Sequence, residues 1–149
     1  YKHITNLSGI HYGQKKQQGQ SDTKQLIAIK RYLKWRWHIT FNSEWYLGFG
    51  QEDFLLYRIL EKVPINISRK FRWKNPDLMC IHNKFGIIVI EVDGAVHDRK
   101  VQKTLDRNEL YISAGIKLIV LNIADIKFAN KTIFESLDTE MTRVTCAKH

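Results

Sequence analysis

Four polar residues crowd the stretch Glu91-Val92-Asp93-Gly94-Ala95-Val96-His97-Asp98, directly after the apolar run Ile87-Ile88-Val89-Ile90. An unbroken β-branched run of this kind reads as a buried central strand. Side chains alternate along a strand, so Glu91 and Asp93 point to one face and Val92 to the other. Two carboxylates at the end of a buried strand are costly unless positive charge sits between them. A divalent ion is the simplest source of that charge, and hard oxygen ligands suit Mg2+, with Mn2+ as a substitute.

The elements around this stretch must bring further ligands to it. Asp77 to His82 reads as a strand, Asn83-Lys84-Phe85-Gly86 as a hairpin turn, and Ile87 to Asp93 as the next strand. Counting outward from the turn, position 77 falls level with position 92, so Asp77 joins Glu91 and Asp93 at one end of the sheet. An ion held there beside a basic surface points to phosphoryl chemistry, in which it activates water and offsets charge on the phosphate.

Upstream, Gly, Gln, Lys and Ser dominate Tyr12 to Thr23, which reads as a loop or poorly ordered arm. Leu26, Ile29, Leu33 and Trp37 predict a helix from Lys24 to about His38. Gln51 to Lys62 is a second amphipathic helix, ended by Pro64, and Ile65 to Trp73 a first strand. A helix from Asp98 to about Ala114 carries Val101, Leu105 and Ile112 on one side and stops at Gly115. Lys117 to Asn122 is the last strand, and a closing helix covers Lys131 to Met141. A strand–helix–strand crossover implies a parallel pair in a mixed sheet. The expected class is α/β, a mixed central sheet flanked by helices.

The chain has 149 residues, 24 basic against 15 acidic, a formal net charge of +9. One domain with a real core is expected. Residues 1–40 hold Lys2, Lys15, Lys16, Lys24, Lys30, Arg31, Lys34 and Arg36 against Asp22 alone, and the block Arg69-Lys70-Phe71-Arg72-Trp73-Lys74 has no acid. Aromatics interleave these blocks, which favours nucleic acid over nonspecific stickiness. The candidate nucleic-acid contacts are Lys30, Arg31, Lys34, Arg36, Arg69, Lys70, Arg72 and Lys74. No apolar run approaches the ~20 residues of a membrane span, and no signal peptide is visible. Cys80 and Cys146 lack metal-binding spacing, so a reducing intracellular setting, cytoplasmic or nucleoid-associated, is expected.

The order Pro76-Asp77, Glu91-x-Asp93-Gly94 with His97 and Asp98, Asp106-Arg107, then Gly115-Ile116-Lys117-Leu118-Ile119-Val120 resembles the very-short-patch-repair-like branch of the PD-(D/E)XK nucleases over roughly residues 51–126. The resemblance implies a restriction-endonuclease-like core of helix, three strands, helix and strand in residues 46–149; residues 1–45 lie outside it, and their basic charge reads as a DNA-contacting extension. It implies a Mg2+-dependent DNA endonuclease acting on duplex DNA, of mismatch-nicking, homing or restriction type. A homodimer follows if both strands are cut. Asp77 resembles the metal-binding aspartate and Glu91 the second acid, with Asp93 or the Val92 carbonyl beside them. The superfamily motif usually has Lys where this chain has Asp93. That removes a cation from the water and makes His97 the best candidate to handle a proton. The first-helix acid is Glu52 or Asp53.

Each of these residues also has a structural reading. Glu91 and Asp93 can be ion-paired with a nearby base, Asp98 a helix cap, and Asp106 and Arg107 a helix ion pair. Glu52 and Asp53 can complement a helix dipole. Trp35, Trp37 and Trp45 fit a core as well as a stack on bases, and His3, His11, His38 and His82 have no defensible partner spacing. The rival function is a non-catalytic nucleic-acid-binding module with the same fold.

Overall fold

In the computed structural model the described residues are 4–5, 10–14, 23–42, 45–49, 72–94, 98–122 and 131–146. They belong to two compact units, one of residues 1–18 and 44–76, the other of residues 19–43 and 77–149. The expected helix over Gln51 to Lys62, with Glu52 and Asp53, lies outside the described residues. So do His97, Arg69, Lys70 and most of the strand expected from Ile65.

The first unit is a four-stranded antiparallel sheet, β1 (Ile4–Thr5), β2 (Ile10–Gln14), β3 (Trp45–Phe49) and β4 (Arg72–Lys74), in that order. Two expectations change here. Tyr12 to Gln14, expected in a loop, are strand residues paired with Trp45 to Leu47. Arg72 and Trp73 form a strand as expected, but they pair with Gly48 and Phe49 rather than joining the sheet of the acids. The chain bends at Asp77, after Pro76, and Pro lacks the N–H that would continue a ladder.

The second unit contains α1 (Lys24–Trp37), β5 (Leu78–His82), β6 (Gly86–Asp93), α2 (Asp98–Ser113), β7 (Lys117–Asn122) and α3 (Lys131–Thr145). Its sheet is mixed, in the order β5-β6-β7, with β5 and β6 antiparallel and β6 and β7 parallel. The hairpin and the parallel pair match expectation. The hairpin register differs by one residue. Leu78 faces Ile90 and His82 faces Gly86, so the loop is Asn83 to Phe85 and Asp77 falls beside Glu91. Two features set that shorter loop. Gly86 has φ 80°, a left-handed conformation that suits glycine. The His82 ring accepts the Lys84 N–H at 2.9 Å and the Phe85 N–H at 3.3 Å through Nδ1, which gives His82 a turn-closing role.

Alternation divides the sheet into two faces. Leu78, Cys80, Ile88, Ile90, Ile119 and Leu121 join one core with Ile29 and Leu33 of α1 and with Ile133, Leu137, Met141 and Val144 of α3. Thus α1, read from sequence as part of a basic extension, is a core helix. Thr23 caps it, accepting the Leu26 N–H at 3.2 Å, and His38 ends it in a left-handed conformation. The intervening strand residues Met79, Val89 and Glu91 face the other way, toward α2.

On α2, Val101, Leu105 and Ile112 do share a side, but that side is exposed, at 43%, 54% and 63%. The stripe turned inward is Thr104, Arg107, Asn108 and Tyr111, at spacings of three and four. A sheet face that ends in carboxylates takes a helix face with donors. Gly115 (φ 82°) stops this helix as expected, and the Ile116 N–H closes back onto the Tyr111 carbonyl at 3.0 Å.

Candidate functional site

The site lies where β5 begins and β6 ends. The backbone ladder between these strands reaches Leu78 and Ile90. Just beyond it, two acidic side chains take over the pairing. Asp77 Oδ2 accepts the Val92 N–H at 2.8 Å, and Glu91 Oε1 accepts the Asp77 N–H at 3.4 Å. The two carboxylates are therefore neighbours across the strand pair, as the hairpin argument requires.

Glu91 is only 3% exposed. Its Oε2 accepts the Tyr111 hydroxyl at 2.9 Å and lies 3.7 Å from Arg107 Nε. Burial raises its pKa, and the Asp77 charge raises it further, to about 7, against the pull of Arg107, Tyr111 and the Asp77 N–H. Burial and Glu91 together push the Tyr111 hydroxyl well above its usual pKa, so it stays a neutral donor.

Asp93 is held differently. Arg107 NH2 reaches its Oδ2 at 3.2 Å, and both terminal nitrogens lie 3.4 Å from its Oδ1. The guanidinium also donates to Asn108 Oδ1, at 2.8 Å from NH2 and 3.1 Å from Nε. Burial works against the Arg107 charge, but Glu91 and Asp93 outweigh it and raise the pKa. Asp106 takes no part, accepting instead from Gln102 Nε2 at 2.9 Å. The structural reading of Asp106 and Arg107 as a pair thus gives way to a cross-element bond. Arg107 and Tyr111 were not singled out together by sequence reasoning. Their spacing of four on a helix that follows the acidic strand was the available signal.

Among the described residues, no group of three or more His, Cys, Asp or Glu could hold a metal ion. The oxygens at hand are the two carboxylates of Asp77 and Glu91 and one backbone carbonyl. An extended residue aims its N–H and C=O to the same side. The Val92 N–H points toward the β5 side, so its C=O is turned to that side as well. These are hard oxygen donors, and a divalent ion such as Mg2+ held by them would have to take most of its shell from water or phosphate. Burial is the larger cause of the raised Glu91 pKa and the Asp77 charge the second, and a bound cation would offset that second cause. Asp93, already paired with Arg107, is not brought into that set.

Of the candidate basic residues, Arg31, Lys34 and Arg36 are exposed on α1 and Lys30 is half-buried. Arg72 and Lys74 belong to β4 in the other unit. Asp98 begins α2. Cys80 is buried and Cys146 exposed, neither in a disulfide, and burial raises the Cys80 thiol pKa. Among the described residues no helix is long and apolar enough to cross a membrane. No protein-family model, curated protein or solved structure matches the chain.

Proposed function

We propose that this chain is a Mg2+-dependent endodeoxyribonuclease that hydrolyses phosphodiester bonds in duplex DNA at specific sites, on a restriction-endonuclease-like core. One observation carries the reading: Asp77 and Glu91 stand side by side at a sheet end, and Glu91 is buried. The net charge of +9 supplies the attraction to a polyanion.

Asp77, Glu91 and the Val92 carbonyl would hold the ion. An ion held by these groups would supply a water of lowered pKa and would offset charge developing on the phosphate. Tyr111 fixes the orientation of the Glu91 carboxylate through its hydroxyl. Asp93 positions Arg107, and Arg107 restores the positive charge that the usual motif lysine would bring. His97 is the proton-handling residue in this reading, and Glu52 or Asp53 the first-helix acid. Cleavage of both strands would need two copies of the site. Two cysteines outside any disulfide fit a reducing intracellular compartment.

The test is plasmid nicking with Mg2+, with Mn2+ and with chelator. Asp77→Ala and Glu91→Ala should each lower the rate at least about a hundredfold. Wild type that leaves DNA intact with either metal sinks the proposal. A second reading, a nucleic-acid-binding module without catalysis, draws on the internal bonds of Asp77 and Arg107, which serve the fold without any metal. It predicts DNA binding that is equally strong with and without Mg2+ and no cleavage.

A further inference from the structure

The outward face of α1 has no role in the core and none at the acids. Helix α1 contains no Asp or Glu. Its inner side sends Ile29 and Leu33 into the core. Its outer side lines up Arg31, Lys34, Trp35 and His38, all exposed, at helical spacing. Trp35 is 72% exposed, the most exposed of the large hydrophobic residues described. Trp37 contrasts with it, half-buried and donating from Nε1 to Asp138 at 2.8 Å.

Trp35 is braced although it is exposed. Its ring lies 5.9 Å from that of Tyr32, tilted by 54°. Tyr32 is fixed in turn, stacked 4.3 Å from Phe134 and hydrogen-bonded through its hydroxyl to Asp138. Arg36 lies over the Trp37 ring at 5.1 Å. Arg31 and Lys34 are the cations beside Trp35, and among the described residues neither is ion-paired.

We propose that this face is a stacking platform for a nucleic-acid strand, with one unpaired base on Trp35 and neighbouring phosphates on Arg31 and Lys34. A held aromatic face beside cations is the arrangement that binds unstacked bases. A membrane-surface helix would instead turn a broad apolar side outward, and the apolar side of α1 is buried. The proposal deepens the DNA reading by naming the substrate class, DNA with an unpaired stretch. The platform stands apart from the acids, because α1 covers the sheet face opposite to that of Asp77 and Glu91. It anchors a strand without touching the phosphodiester held at the acids.

The experiment is fluorescence-anisotropy binding in chelator, with a labelled single-stranded oligonucleotide and with its duplex. Trp35→Ala should weaken single-strand binding about tenfold, and duplex binding by much less. Trp35→Phe should recover most of the loss. Arg31→Ala with Lys34→Ala should lower the single-strand salt slope by roughly 1.4. Trp35→Ala that leaves single-strand binding within about twofold, or that weakens both ligands equally, overturns the platform. So does binding to anionic vesicles that Trp35→Ala abolishes while oligonucleotide binding is unchanged. Unaltered melting of the variants excludes loss of fold. The binding result is independent of cleavage, so absence of nicking would sink the nuclease and leave the platform standing.

Discussion

The two faces of the three-stranded sheet are built from the same strands and do different work. Ile88 and Ile90 of β6 pack with α1 and α3 in a continuous apolar layer. Val89, Glu91 and Asp93 alternate with them and meet α2, whose inward stripe ends in Tyr111 and Arg107. The first face gains stability by excluding water over a wide area. The second takes carboxylates out of water and offsets their charge with a hydroxyl and a guanidinium. The contrast teaches that alternation lets a single strand serve both purposes, each with its own sensitivity.

The apolar face should show the largest response. Ile90→Ala, at a site with 0% exposure, is expected to lower stability by about 2–5 kcal/mol in urea unfolding. If the proposed nuclease activity holds, DNA cleavage by the molecules that remain folded should be unchanged. A variant that cleaves poorly while fully folded would break the separation between the faces.

Next in size is the response to pH. Glu91 has its folded pKa raised from 4.5 to about 7. The folded state therefore binds more protons than the unfolded chain between those values, and stability falls as pH rises through that window. The fall is at most ~3 kcal/mol. Glu91→Gln should flatten the melting-temperature profile between pH 4.5 and 7, and Ile90→Ala should leave its shape alone. A profile equally steep in Glu91→Gln would assign the pH response elsewhere.

The smallest effect sharpens the account of the acids. Arg107→Met removes the guanidinium from two carboxylates whose side chains are 4% and 12% exposed. With Arg107 itself partly exposed, a loss of about 2 kcal/mol is expected, below that of a fully buried pair. Mg2+ should then raise the melting temperature of Arg107→Met more than that of wild type. Equal shifts would mean that the ion and the arginine do not answer the same charge.

Much of this was legible in the sequence. The strands β5, β6 and β7 and the helices between them followed from β-branched runs, Gly115 and Asp98. The convergence of Asp77 and Glu91 followed from the hairpin. The register slipped by one because loop length depends on the His82 ring and the Gly86 conformation, which a count of turn residues does not encode. Hydrophobic periodicity reports which face of an element is apolar, and not which partner covers it. Hence β4 was placed in the wrong sheet, and α1 was read as part of an arm. On α2 the apolar residues proved to be the outer ones, because the sheet face opposite ends in charge. Arg107 escaped notice as a partner of Asp93 because the bond crosses 14 positions between strand and helix.

The unit that holds the acids is discontinuous, leaving at Ser43 and resuming at Asp77. Its first helix is synthesised well before the strands it covers, so the Ile29–Leu33 stripe must wait in water for distant partners. Such late, long-range docking slows folding and leaves a sticky intermediate. Refolding yield should thus be governed by how quickly α1 captures β5 and β6, and a chain started at residue 46 would lack the lid of its own core.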